Sequence, residues 1–370
     1  MFKGYMKKIF VVTGELSGDR LAAWYIQKRR QQEQNLIVHA VGGDALHASG
    51  ALLYQRFETL NVVGVLEIIA HLPTIFRMLA DLAHHIVSHE YDEVVVVDFP
   101  GFNLRLIKKL KRIKPSLTII YVSPPQLWCW GSWRVKTLKK YTDQVIVMYP
   151  FEVGWYQQRG VTVEWVGSPV YDALAQYRID SNLKKHCIAL IPGSRRSEIE
   201  TLLPLFLRVA QTLKQEYPVV NFVFPLAQSI KQDFVESIIL KNGLTDIWKK
   251  VEVVRDDQQK YSTLSWCCAA LCKPGTVTLE LAVLQVPTVI AFKTSWITYL
   301  LARLVVTVEY MGLPNLLLGR SVCSEFIQQD CTHGALVASL GDIYASFACG
   351  DQLYKKRLQD FDDVVRAITR

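Results

Sequence analysis

The sequence predicts two doubly wound α/β domains joined in series. Short continuous β-branched runs recur along the chain, helical periodicity fills most of the gaps between them, and the cycle restarts after a polar stretch near the middle. Length agrees, because 370 residues exceed what a single core fills before it stops growing at roughly 250–300 residues. Half of the residues are hydrophobic, and 11% are aromatic, with no low-complexity tract. That composition excludes a disordered chain.

The first run is Lys8–Thr13 (KIFVVT), followed by a glycine-bearing turn and a helix over about residues 18–31. Leu36–Val41 ends in Gly42-Gly43, and Glu93–Asp98 ends in Phe99-Pro100-Gly101. Leu117–Val122 ends in Ser123-Pro124-Pro125, and Gln144–Met148 ends in Tyr149-Pro150. Apolar runs without polar alternation fit strands buried on both faces of a parallel sheet. These elements place a first domain at residues 1–175, with Gln176–Lys185 as a polar linker.

The second domain, residues 184–350, opens with a strand at Cys187–Ile191 and a helix carrying Leu202, Leu203, Phe206, Val209, Ala210 and Leu213 at 3.6-residue spacing. Further strands are expected at Asn221–Pro225, Lys250–Val254, Ala269–Cys272 and Thr288–Phe292. Residues 351–370 read as an amphipathic helix with Leu353, Leu358, Phe361, Val364, Val365 and Ile368 on one face. It is expected to cross back onto the first domain or to pack on a partner chain.

The opening MFKGYMKKIFVVTGELSGD has only a short apolar stretch before Glu15 and Asp19, so it reads as a first strand rather than a signal peptide. No apolar run of about 18 residues predicts a spanning helix, and a cytoplasmic chain is expected. The eight cysteines are scattered in mostly apolar surroundings and read as reduced, buried thiols. Cys268 and Cys272 have helical spacing, but no second pair and no nearby histidine complete a zinc site. Neither a metal nor a cofactor is expected.

The net charge of +8 is unevenly spread. From Phe99 to Thr142 there is no acid, and the cations are Arg105, Lys108, Lys109, Lys111, Arg112, Lys114, Arg134, Lys136, Lys139 and Lys140. Such a stretch attracts nucleic acid, anionic lipid or a phosphorylated substrate, unless it is simply a solvated helix face.

Ligands of open parallel sheets sit outside the carboxyl ends of the strands, so those ends are where chemistry is expected. Thr13-Gly14-Glu15-Leu16-Ser17-Gly18-Asp19 offers glycines for close approach, and acids and a hydroxyl for sugar hydroxyls or for helix capping. Asp98 follows four valines, at the edge of a buried strand where desolvation tunes a carboxylate. It suits a general base for an attacking hydroxyl, with a helix N-cap as the alternative. Tyr121 through Trp130, with Arg134 beyond, form a proline-stiffened aromatic wall for a sugar or acyl chain, or else core packing. In the second half, Pro192-Gly193-Ser194-Arg195 and Lys273-Pro274-Gly275-Thr276 each follow a strand and open a helix, where phosphate is favoured. Glu280 lies one helical turn beyond Thr276, within reach of a ribose. Together the two loops indicate a nucleotide diphosphate.

Taken in order, these residues resemble the lipid-A-disaccharide synthase family. The resemblance rests on Gly14-Glu15-Leu16-Ser17-Gly18-Asp19, Asp98 with Phe102-Asn103, Tyr121-Val122-Ser123-Pro124 with Trp128 and Trp130, and Pro150-Phe151-Glu152. It continues through Val166-Gly167-Ser168-Pro169, Pro192-Gly193-Ser194-Arg195, Gly275-Thr276 with Glu280, and Leu313-Pro314-Asn315. It implies a GT-B glycosyltransferase with two Rossmann-like domains facing across a cleft. The implied donor is UDP-2,3-diacylglucosamine and the acceptor 2,3-diacylglucosamine 1-phosphate (lipid X). The acceptor 6-hydroxyl attacks the anomeric carbon and inverts it, giving a β-1,6 linkage and free UDP.

By that resemblance Asp98 is the base, with Glu15 beside it in the catalytic set. Gly193, Ser194, Arg195, Gly275, Thr276, Glu280 and Asn315 belong to the UDP side, and Ser17, Asn103, Ser123, Trp128 and Arg134 to the acceptor side. The leaving diphosphate is expected to be met by helix ends and basic side chains in place of a metal. Two departures stand out: Gly131-Ser132-Trp133 precede Arg134, and Pro274 replaces a residue with a hydroxyl and an N–H.

An acylated substrate implies contact with the inner-membrane surface and its anionic lipids. The stretch Val62–Ile86, with Val65, Leu66, Ile68, Ile69, Leu72, Ile75, Phe76, Leu79 and Leu82, and part of the 105–140 basic region are the expected membrane face. No nucleic-acid partner is expected, and the oligomeric state is left open, a homodimer included. The rival readings are a GT-B transferase acting on peptidoglycan lipid precursors and a non-catalytic nucleic-acid binder. A nicotinamide dehydrogenase is disfavoured by the absence of GxGxxG.

Overall fold

The computed structural model describes residues 6–33, 35–59 and 68–369. It divides into two compact units, Met1–Pro169 and Val170–Arg370, so the break falls a few residues before the polar linker.

The first unit runs β1 (Lys7–Val12), α1 (Leu16–Gln32), β2 (Leu36–Gly42), α2 (Asp44–Ala48), β3 (Leu52–Arg56), α3 (Ile68–Ser88) and β4 (Glu93–Val97). It continues with α4 (Pro100–Ile113), β5 (Thr118–Val122), α5 (Val135–Tyr141), β6 (Gln144–Val147), α6 (Pro150–Gln157) and β7 (Val163–Trp165). Every described pairing is parallel, in the order β3-β2-β1-β4-β5-β6-β7. The strand order reverses between β1 and β4, which are paired neighbours with Val12 level with Val96. That reversal is the topological switch point, where crossover helices leave in opposite directions and open a crevice. All five residues of β4 are buried, and each valine removed from water contributes about 1.5–3 kcal/mol.

The second unit repeats the plan. α7 (Pro169–Leu174) leads to β8 (Lys185–Ile191), α8 (Arg196–Glu216), β9 (Asn221–Pro225), α9 (Gln232–Lys241), α10 (Thr245–Trp248) and β10 (Val251–Val254). Then come α11 (Asp257–Trp266), β11 (Cys267–Cys272), α12 (Thr276–Val283), β12 (Thr288–Phe292), α13 (Trp296–Val305), α14 (Leu313–Leu318), β13 (Ser324–Ile327), α15 (His333–Cys349) and α16 (Gln352–Thr369). The sheet order is β10-β9-β8-β11-β12-β13, with its switch point between β8 and β11. Cys268 and Cys272 therefore share a buried strand and not the helix their spacing suggests.

Three strands escape the sequence reading: β3, β7 and β13. All are sheet edges, half-exposed and only three to five residues long, so none shows a continuous apolar run. The terminal helix α16 buries Tyr354, Phe361, Val364, Val365 and Ile368 and packs on α12, α14 and α15 of its own unit. Tyr354 donates to the Cys268 carbonyl at 3.0 Å, and Arg320 pairs with Asp360 and Asp363 at 2.8 and 3.1 Å. Because Phe361 is only 1% exposed, Phe361→Ala is expected to destabilise the second unit by about 3–5 kcal/mol, read from urea unfolding. A loss below about 1 kcal/mol contradicts this packing.

Candidate active site

Two loops leave the switch point of the first sheet side by side, one carrying Glu15 and the other Asp98. Register makes them neighbours: Val12 and Val96 are paired, so Gly14 and Asp98 lie level. Asp98 and Phe99 both adopt left-handed backbone angles, with φ of 48° and 46°, and Ser123 at the end of β5 does the same at 53°. For non-glycine residues such angles cost of order 1–3 kcal/mol each and persist only where surroundings impose them. Those surroundings are visible. Asn103 Nδ2 donates to the carbonyls of Asp98 and Val97 at 2.8 and 3.1 Å, and Tyr121 Oη donates to the Asp98 carbonyl at 2.8 Å. The Phe99 ring lies over Gly14 so closely that a β-carbon there would collide with it, which explains the glycine.

The N-cap position of α4 is Phe99, without a side-chain cap, so the Asp98 carboxylate is not spent as a helix cap. Burial is the main cause that pushes it up from the usual carboxylate range to about 6, and the adjacent Glu15 carboxylate adds to the rise. Glu15 is itself oriented by Ser17 Oγ, which donates to its Oε1 at 2.7 Å. The structure thus brings Glu15, Ser17, Asp98 and Asn103 together. Asn103 is fully buried, and its Oδ1 has no hydrogen-bond partner among the described residues. It shapes the Asp98 turn from behind and offers no exposed atom. Asp19, from the same motif, is also buried and caps α2 by accepting from Gly43 and Ala45 N–H at 2.6 and 2.9 Å.

The aromatic wall separates into two kinds of tryptophan. Trp128 is buried and donates from Nε1 to Glu152 Oε1 at 2.7 Å. Glu152 Oε2 accepts from the Met148 and Tyr149 N–H groups, both at 2.9 Å. Burial raises Glu152 to about 7 against those hydrogen bonds, so this carboxyl is a brace inside the fold. Trp130 and Trp133 are exposed, in an edge-to-face pair with centroids 6.4 Å apart. The Arg134 guanidinium lies 4.8 Å from the Trp130 ring and 5.9 Å from the Trp133 ring. Trp128 is thus a core residue, and Trp130, Trp133 and Arg134 form the presented surface.

The two loops expected to meet diphosphate leave the second switch point, after β8 and β11. Gly193 and Gly275 have φ of 132° and 144°, conformations open to glycine and costly to other residues. The N–H groups of Ser194 and Arg195 are already engaged, donating to Glu198 Oε2 at 3.1 and 3.2 Å. Glu198 Oε1 in turn holds Lys273 Nζ at 2.8 Å, tying one loop to the other. The Ser194 and Arg195 amides are thus engaged by Glu198 in the protein itself. The exposed Arg195 side chain and the exposed Thr276 at the start of α12 are the accessible groups.

Glu280 pairs with Lys260 of α11 at 3.3 Å, a partner that 20 residues of sequence separation conceal. Asn315 is wholly buried and fully bonded. Its Nδ2 donates to the Cys323 carbonyl and Glu325 Oε1 at 2.8 and 2.7 Å, and its Oδ1 accepts from Val322 and Cys323 N–H. As placed, Asn315 supports the loop after α14 and presents no free atom to a ligand.

Doubly wound units with a strained carboxylate turn at one switch point and glycine loops with cations at the other are the arrangement of the GT-B fold class. Solved structures agree on the fold. A putative UDP-N-acetylglucosamine 2-epimerase from Listeria monocytogenes has a TM-score of 0.64 at 11% identity, covering 96% of this chain and 91% of that one. The UDP-GlcNAc 2-epimerase from Neisseria meningitidis has a TM-score of 0.59 at 13% identity, covering 98% and 99%. A sequence profile described as lipid-A-disaccharide synthetase matches residues 9–347. The lipid-A-disaccharide synthase of Geobacter sulfurreducens is 33% identical over 344 residues, covering 90% of this chain and 87% of that protein. That of Coxiella burnetii strain CbuK_Q154 is 33% identical over 340 residues, covering 89% and 87%. The chain belongs to the lipid-A-disaccharide synthase family.

Glu198 closes two N–H groups and one ammonium at a helix start, so Glu198→Ala is expected to destabilise the second unit by about 1–2 kcal/mol. Chemical denaturation checks it, and a neutral substitution contradicts the capping role.

Proposed function

We propose that this enzyme transfers the diacylglucosamine unit of UDP-2,3-diacylglucosamine to the 6-hydroxyl of 2,3-diacylglucosamine 1-phosphate. The observation that carries the reading is the Asp98 carboxylate, pushed up to about 6 by burial and by Glu15, in a turn held by Asn103 and Tyr121. A carboxylate of that basicity is ionised near neutral pH yet accepts a proton more readily than an ordinary aspartate.

Asp98 takes the 6-hydroxyl proton as that oxygen bonds to the anomeric carbon. The bond from the anomeric carbon to the diphosphate oxygen breaks, its electron pair leaves with UDP, and the configuration inverts. Negative charge grows on the departing diphosphate. Arg195 and the amino end of α12 at Gly275 and Thr276 stabilise it, and Glu280, steadied by Lys260, faces the ribose. Ser17 and Ser123 hold acceptor hydroxyls, while Arg134 meets the acceptor phosphate.

Membrane-borne substrates place the enzyme at the cytoplasmic surface of the inner membrane. Among the described residues no helix is long and apolar enough to cross a membrane. In the expected contact stretch, Val65 and Leu66 lie outside the described residues, as do the side chains of Ile68, Ile69, Leu72 and Ile75. Phe76 is exposed, whereas Leu79 and Leu82 are buried core residues and drop out of the contact. Exposed Arg105, Arg112, Lys136, Lys139 and Lys140 supply positive charge, each worth about 1 kcal/mol beside anionic lipid.

The test is to follow UDP release with each donor and acceptor. Product is expected only when both diacylated sugars are present. Asp98→Asn is expected to lose at least about 10²-fold in turnover while retaining UDP binding and thermal stability. UDP release only with an undecaprenyl-linked acceptor overturns the substrate assignment, and near-normal turnover in Asp98→Asn overturns the base.

A further inference from the structure

Helix α13 follows β12 after a three-residue connection, at the carboxyl edge that also carries the loops after β8 and β11. Its start is well anchored. Ser295 Oγ accepts the Thr298 N–H at 3.2 Å, and the Gln328 side chain clasps both the N–H and the carbonyl of Thr294 at 3.1 and 2.9 Å. Yet Trp296, Ile297, Leu300 and Leu301 are 57%, 74%, 57% and 60% exposed. At about 100° per residue these four side chains fall within one arc of about 140°. A contiguous apolar stripe of that kind signals a docking surface.

What borders the stripe says what covers it. Trp296 packs edge-on against Tyr299, centroids 5.8 Å apart, and the Arg303 guanidinium lies 6.0 Å from the Tyr299 ring. From residue 281 to 308 there is no Asp or Glu, while Lys293 and Arg303 are present. Tryptophan and tyrosine favour the boundary between hydrocarbon and headgroups, and arginine extends from it toward phosphate. A second copy of the chain would bring two Arg303 side chains toward each other in a symmetric contact, with no acid in the segment to offset them. Ten residues span about 15 Å, half of a hydrocarbon core, so the helix suits lying along a bilayer surface.

We propose that α13 is an interfacial helix through which the second unit rests on an anionic lipid bilayer. The proposal rests on the lipid-substrate reading above and adds a contact separate from the one in the first unit. A donor whose acyl chains remain in the leaflet is then delivered headgroup-first to the sheet edge that carries the diphosphate loops.

The test sediments the full chain with phosphatidylethanolamine vesicles, with and without phosphatidylglycerol. The triple variant Ile297→Ser, Leu300→Ser, Leu301→Ser is expected to lose at least about tenfold in vesicle partition. Arg303→Glu, which keeps the apolar stripe, is expected to lose about fivefold or more on phosphatidylglycerol vesicles, a deficit that high salt removes. Both variants are expected to keep the wild-type thermal midpoint and turnover on detergent-dispersed substrates. Unchanged partition of both variants overturns the proposal. So does a drop in solution mass, which marks a second copy, or a raised KM for long-chain donor with partition intact, which marks an acyl-chain site. Vesicle partition is read without turnover, so a wild-type chain lacking transferase activity refutes the proposed reaction and leaves this test standing.

Discussion

A parallel strand buried on both faces can present polar chemistry only where it stops. The hydrogen-bonded interior of β4 is all valine after Glu93, and the residue directly after it is Asp98, whose N–H still holds the Val122 carbonyl. The exit from the strand is abrupt. Two successive left-handed residues turn the chain into α4, and the cost is carried by Asn103 and Tyr121, which hold the Asp98 carbonyl. The same burial that stabilises the strand withholds water from the carboxylate at its end. Fold stability and the basicity of Asp98 therefore have one origin, the desolvated end of β4 beside the loop after β1, which carries Glu15.

The second unit applies that constraint to a different chemistry. Strands β8 and β11 end in glycine turns that start helices, and Glu198 ties the two turns together through backbone amides and Lys273. The carboxylate satisfies donors that would otherwise be orphaned at the start of α8. It also leaves Arg195 and the start of α12 as the accessible cationic and amide surface. Lys260 does comparable work for Glu280, so the expected donor-side groups are held before any ligand meets them.

Much of this was legible in the sequence, and the limits are physical. Central strands announce themselves because both faces are buried, and their carboxyl ends followed directly, including Asp98 and the glycine loops. Edge strands β3, β7 and β13 are half-solvated and short, so no pattern marks them. Pairings between separate elements were invisible: Trp128 with Glu152 and Glu280 with Lys260, and so was the bonding of Asn315 to the backbone of the loop that follows its helix. Motif order placed Trp128, Asn103 and Asn315 at the site, but only packing reveals that they support it from behind. The aromatic and apolar stripe on α13 was missed for the opposite reason, since an apolar helix in sequence reads as core until its exposure is seen.

On the proposed reaction, Asp98 works as a base whose proton affinity is set by burial and by Glu15. The pH dependence of kcat/KM tests it most directly. A carboxyl raised to about 6 is protonated and inactive below that pH, so activity should rise through an acidic limb near 6. Removing the neighbouring negative charge in Glu15→Gln lowers the Asp98 pKa and should move that limb to lower pH, leaving the plateau reachable in more acidic buffer. A limb that stays in place in Glu15→Gln, or a wild-type profile flat across that range, contradicts the account.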